Sequence, residues 1–286
     1  MEKNNKLLTI ILVLLIILFV SLGVYIAYDR GLIFKKDNNN QSPDIKDNST
    51  NEDNQVKTEN LDINTTLVQR LYNFINKDDT CSSRITEDKE KNLDVKDIDI
   101  ETKLVLTLKN IDNYSFEQVN CNNYDFSNFL DTEYPTSAFA QDSFSCGTAE
   151  NNSYNPTTKK FGSSGDTLIT ESVKASVIEK KFHEIFGTDT YKNISNIYLG
   201  PDKIYVYNKE NDMYVKIQLN GDCGFSNWWE ETLETATKES NTIVLKVKKT
   251  FSGIEDPEYA TYEYYYTFTL NQDGSYYLTN IKSVKA

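Results

Sequence analysis

The chain has 286 residues and a formal net charge of −13, unevenly placed: residues 1–36 hold five basic and two acidic residues, leaving 25 basic against 41 acidic in the remainder. So acidic a body repels phosphate backbones, which are gripped by clustered Lys and Arg, and nucleic acid is excluded as a partner. A single histidine and four scattered cysteines leave few routes to nucleophilic or metal chemistry.

Residues 7–28, LLTIILVLLIILFVSLGVYIAY, contain no charge. As a helix rising 1.5 Å per residue they cover roughly 33 Å, enough for a hydrocarbon core of about 30 Å. The rival reading is a signal peptide cut near Ser21 or Gly23. Against it, the apolar run continues through Val24, Tyr25, Ile26 and Ala27, and no A-x-A pattern follows. A membrane anchor is the expectation, with the lipid bilayer as partner of residues 7–28. Lys3 and Lys6 precede the run while Arg30, Lys35 and Lys36 follow it, so charge alone does not orient it. A short N-terminus ahead of a long polar body, and cysteines only beyond the span, favour an outside C-terminal domain at the cell membrane.

The expected organisation is an anchor over 1–36, a tether over 37–61 and an extracytoplasmic α+β domain over 62–286. Residues 37–61 are Asn, Asp, Ser and Lys with only Ile45, Val56 and Leu61 apolar, a composition that cannot build a core. The first domain helix is predicted over 63–76, where Leu67, Val68, Leu71, Tyr72 and Ile75 form one stripe and Asn64 or Thr65 caps the start. A second helix is predicted from about Asp97 to Ile111, although LVLTL also alternates like a strand. Residues 113–166 show no sustained period; scattered aromatics predict packing of their first part, and NNSYNPTTKKFGSSGD reads as flexible.

A third helix is predicted after Thr170 or Ser172 as cap, ending at Gly187, with Val173, Val177, Ile178, Phe182, Ile185 and Phe186 inward. Beyond it the chain reads as strands: KIYVYN and MYVKIQL as a hairpin, EETLETATKE, NTIVLKVKKTF with Ile243, Leu245 and Val247 inward, TYEYYYTFTL, and SYYLTNIKSV after the turn NQDG. The order predicts three helices packed on an antiparallel meander of five or six strands, wrapped over the third helix.

His183 is predicted on the solvated face of that helix, near Glu179, without a nucleophile in a recognisable setting. Cys81, Cys121, Cys146 and Cys223 show no C-x-x-C spacing, so zinc and redox roles are disfavoured, and no metal or cofactor is implied. Disulfides are the better reading; Cys121–Cys146 within one loop, with Cys81–Cys223, is preferred among three full pairings, and four free thiols are the alternative. Acidic clusters such as Asp94–Asp97–Asp99 match no calcium loop. The strongest surface candidates are aromatic. Trp228 and Trp229 are adjacent on a strand, so one faces the core and the other outward, and Tyr265 also faces outward. Outward rings stack on sugars or peptides, or shield a sheet edge.

The N-terminal anchor, the Asn-rich tether, a helix ending in Ile185-Phe186-Gly187 and the Tyr-rich terminal meander resemble uncharacterised single-span membrane proteins of low-GC Gram-positive bacteria. The helices-then-meander order also resembles NTF2-like or cystatin-like domains. That resemblance implies a scaffold in secretion or conjugation channels, an inference from fold alone. The leading expectation is a non-enzymatic binding or assembly module with a protein or cell-wall partner. The alternative is a cell-wall carbohydrate-binding protein using Trp228, Trp229 and Tyr265, and a hydrolase built on paired carboxylates is a distant third.

Overall fold

The computed structural model describes residues 58–78, 85–126, 129, 144–147, 152–155, 157–163, 167–187, 196–199, 203–219, 227–253 and 259–286. The predicted span 7–28 and most of the predicted tether lie outside them. No helix among the described residues is long and apolar enough to cross a membrane.

In chain order the elements are β1 (Thr58–Leu61), α1 (Thr66–Ile75), β2 (Lys91–Asp94), α2 (Ile100–Lys109), β3 (Glu117–Asn120), β4 (Phe144–Ser145), β5 (Tyr154–Asn155) and β6 (Lys160–Phe161). There follow β7 (Ile169–Lys174), α3 (Ala175–Phe186), β8 (Ile197–Leu199), β9 (Lys203–Asn208) and β10 (Met213–Leu219). The chain ends in β11 (Asn227–Glu239), β12 (Thr242–Gly253), β13 (Ala260–Leu270) and β14 (Tyr276–Lys285). The class is α+β, with three α-helices among the described residues.

The last four strands form the expected meander. It is the centre of a six-stranded antiparallel sheet ordered β1-β11-β12-β13-β14-β2. Strand alternation places Ile243, Leu245, Val247 and Phe251 of β12 and Tyr262, Tyr264, Tyr266 and Phe268 of β13 on the buried face. Gly274 takes φ +83° in the β13–β14 turn, a conformation that suits glycine. Bulges at Leu233/Thr235 and Thr267/Phe268 add local twist.

The helices cover that face. Val68, Leu71, Phe74 and Ile75 of α1 are buried, and Thr65 caps the helix by accepting from the Val68 amide at 3.4 Å. In α2 every residue from Thr102 to Leu108 is buried, and Asp99 caps it through the Thr102 amide at 2.8 Å. A helix buried all round carries apolar residues on every face, which is why LVLTL also resembles a strand. Helix α3 packs on α2 and β14 through Ile178, Phe182, Ile185 and Phe186.

Four expectations are corrected. The hairpin β9–β10 does not extend the meander; it belongs to a second sheet, ordered β3-β7-β10-β9-β8, with β4 also on β10. Thr170 and Ser172 do not cap a helix. They sit on β7, which runs straight into α3 at Lys174, and their hydroxyls donate to the carbonyls of Lys216 (2.9 Å) and Glu117 (3.3 Å). The end of the predicted tether, Thr58–Leu61, is strand β1, held by backbone pairing with β11 rather than by apolar burial. Within the segment read as flexible, β5 and β6 form a hairpin whose Tyr154 and Phe161 stack edge-on at 5.1 Å.

The second sheet is buried on both faces. Tyr205 and Tyr214 join the helices and the main core, while Ile204, Val206, Val215 and Ile217 face a smaller core built from Phe126, Phe144, Tyr154, Phe161 and the Cys121–Cys146 disulfide.

Candidate functional site

The structure separates the residues that the sequence singles out. Trp229 turns inward, with its ring 5.9 Å from Phe251. Trp228 is exposed, at 42%. Tyr265 lies on the outer face of the sheet, half-buried, and its hydroxyl donates to Glu263 at 2.6 Å. Lys246 bridges Glu263 (2.7 Å) and Glu234 (3.1 Å), and these bonds hold the Glu263 carboxyl below its usual range. Tyr265 faces Lys246 and Trp228 faces Ser252, six residues apart along β12. At about 3.4 Å per residue that is roughly 20 Å, too far for one aromatic platform. Cys121 and Cys146 are bonded and fully buried, whereas Cys81 and Cys223 lie outside the described residues. His183 is exposed on α3, its ring 5.7 Å from that of Tyr277. Among the described residues no group of three or more His, Cys, Asp or Glu is placed to hold a metal ion.

Behind Trp229 lies an interior cation. Lys249 occupies an inward position of β12 in line with Val247 and Phe251, and only 1% of it is exposed. Its Nζ lies 2.9 Å from Glu231 Oε2 and donates to Thr86 Oγ1 at 2.9 Å. The rings of Tyr264, Trp229 and Tyr266 surround it at 5.3, 5.4 and 5.9 Å, within cation–π range. Glu231 also accepts from the Tyr72 hydroxyl at 2.7 Å, and burial first, then Glu231, pushes that hydroxyl's pKa far up. Thr86 in turn donates its amide to Asp78, whose other oxygen lies 3.8 Å from Lys109 Nζ. One polar chain therefore runs from the sheet through residues 78 and 86 to the end of α2. Closed to solvent at Lys249, it ties the helices and the segment 85–91 to the sheet.

The chain's outer end opens into a cleft of about 810 Å³. On α1, Thr66, Gln69, Arg70, Asn73 and the following Lys77 recur every three or four residues, opposite the buried Val68, Leu71 and Ile75. Helix α2 and its exit contribute Lys109, Asp112 and Asn113, and α3 contributes Lys181. Among the described residues the lining holds four cations and one carboxylate, within a domain of strongly negative charge. Lys181 is paired with Glu184 at 2.6 Å. Asp112 accepts from the Tyr114 hydroxyl at 3.0 Å. Arg70 and Lys77 are exposed and have no acidic partner within 4 Å among the described residues.

Comparison with known proteins finds no match: no family model, no curated protein and no solved structure corresponds to this chain. The function must be read from the site itself.

A smaller hollow of about 180 Å³ adjoins the cleft and shares Arg70 and Phe74 with it. It is lined by His183, Glu184, Asp273 and Tyr277. The Tyr277 hydroxyl and the Ser275 amide both donate to Asp273 and hold its carboxyl below the usual range. Sequence reasoning missed the cleft, although Arg70 and Lys77, seven residues apart on the polar face of a predicted helix, marked one wall.

Proposed function

We propose that this protein is a membrane-anchored, extracytoplasmic, non-enzymatic binding module, and that the cleft between α1, α2 and α3 takes an anionic ligand. The observation that carries this reading is the inversion of charge. Among the described residues, four cations and one carboxylate line one concavity of a body with 41 acidic and 25 basic residues beyond the predicted anchor. Low-dielectric walls focus such a local field and raise the concentration of counter-ions at the site. Asp112, Glu184 and Asp78 at or beside the cleft are each held by a hydrogen bond or ion pair. The groups left facing outward are Arg70 and Lys77, side chains whose N–H groups donate to anions. The uncharged run 7–28 supports anchorage, and the residues that follow it keep the domain soluble beside the membrane.

The test is titration of the full chain in neutral detergent with hexaglutamate, by calorimetry at low and physiological salt. Binding that weakens with salt and disappears in the Arg70→Glu, Lys77→Glu double variant is expected. Equal binding by that variant would reject the cleft as an anion site, and so would failure of the native protein at low salt to bind either hexaglutamate or hexagalacturonate.

A further inference from the structure

Resting on the reading of the cleft as the binding site, we propose that its preferred ligand is an acidic carbohydrate: a short sugar chain bearing carboxylate or phosphate groups, with one ring laid on Tyr114. Tyr114 is the most exposed large side chain with apolar character among the described residues, at 87%. It sits in the single turn Asn113–Ser115, directly after Asp112 and beside Asn113, both of which line the cleft.

An aromatic ring left in water loses the burial that normally holds it in a fold. Its hydroxyl donates to Asp112 Oδ2 at 3.0 Å, a bond that also raises the hydroxyl's pKa, and the ring face is left open to a ligand. The face of a sugar ring that presents C–H bonds is apolar and flat enough to lie on tyrosine, while its rim carries hydroxyls.

Tyr114 stands next to the cleft, whose own lining matches that rim. The carboxamides of Asn73 and Asn113 offer both donor and acceptor groups, the pairing that adjacent hydroxyls require. Arg70 and Lys77 supply the charge for a carboxylate or phosphate, Arg70 with the planar fork that grips either in two places. An acidic peptide would use the cations and leave the ring and carboxamides without purpose. The volume, about 810 Å³, lies in the range of sites that enclose a ligand of several rings.

The experiment uses the full chain in neutral detergent and three six-unit probes: hexagalacturonate, the uncharged cellohexaose, and hexaglutamate. Hexagalacturonate is expected to bind at least about tenfold more tightly than either of the others. Tyr114→Ala should weaken hexagalacturonate about five- to tenfold, the range of one aromatic contact, and affect hexaglutamate no more than Tyr114→Phe does, since both changes release Asp112. Tyr114→Phe, which keeps the ring face, should retain most of the sugar affinity. Arg70→Gln should weaken both anions. Hexaglutamate binding as tightly as hexagalacturonate would overturn the sugar inference and leave the anion reading standing. The sugar inference is overturned in the same way if Tyr114→Ala has no effect on hexagalacturonate while Arg70→Gln does. Failure of both anions to bind would remove the cleft reading and this inference together. An unchanged melting temperature in each variant shows that the fold is intact.

Discussion

Replacing Lys249 by Met keeps a flexible unbranched side chain one heavy atom shorter and removes the charge and its bonds. Lost are the contact with Glu231 at 2.9 Å, the hydrogen bond to Thr86 at 2.9 Å and the attraction of three aromatic rings. What remains is a carboxylate whose only strong partner is the Tyr72 hydroxyl. Breaking a buried ion pair by removing one member typically costs about 3–5 kcal/mol, because the surviving charge is stranded. Glu231 retains 19% side-chain exposure as well as the Tyr72 bond, so the lower end applies, about 3 kcal/mol. For a domain of this size that lowers the melting temperature by roughly 6–12 °C. The double variant Lys249→Met, Glu231→Gln removes the stranded charge while still accepting from Tyr72. It should be more stable than the sum of the two single changes by about 2 kcal/mol. Urea unfolding followed by tryptophan fluorescence is apt, since Trp229 lies against Lys249. A loss below about 1 kcal/mol in the single variant, or additivity within about 0.5 kcal/mol, would show that the buried pair between β11 and β12 contributes little to stability.

Burial lowers the Lys91 pKa from 10.5 to about 8, with Glu87 opposing the shift. Between those values the unfolded chain binds more protons, so stability should rise with pH from about 8 towards 10. Urea midpoints at pH 7.5 and 9.5 should show that gain in the native protein and lack it in Lys91→Met. Gly187→Ala should cost about 2 kcal/mol in thermal melts, because φ is +81° and an added Cβ would lie 2.8 Å from the Tyr277 ring. Cys121→Ser with Cys146→Ser, which opens a loop with a separation of 25 residues, should cost about 3–4 kcal/mol in the chain-entropy account, read by the urea midpoint.

Local signals were legible where the stabilising partner is close in sequence. Thr65 announces the start of α1, and the alternation of Ile243, Leu245 and Val247 or of Tyr262, Tyr264 and Tyr266 gives the buried face of the meander. The Cys121–Cys146 bond follows from two cysteines in one loop. Partners chosen at long range were not legible. Ile169–Lys174 looks like the approach to a helix because its mates, β3 and β10, lie far off in the chain. Whether Lys203–Leu219 joins the first or the second sheet depends on the same distant choice. Lys249 shows the limit of residue type: period 2 places it inward with Val247 and Phe251, yet a lysine there makes sense only once Glu231, Thr86 and three rings surround it. The cleft is divided among three segments, and only the α1 wall carries a pattern of its own.

Strand β1 also has a mechanical consequence. Thr58 lies opposite Glu239 and Leu61 opposite Ala236, so β1 runs antiparallel to β11 with its first residue at the β11–β12 hairpin end. A pull on the preceding chain, directed along the strand, shears all four residue pairs at once instead of unzipping them singly. The cleft begins only three residues beyond Leu61, at Asn64, and its first wall is α1. If β1 gives way, the same tension passes next into α1 and draws Arg70 and Asn73 away from Lys109 and Lys181. Under a load applied through the preceding chain, the four residue pairs of β1 would therefore part before the longer strands of the meander.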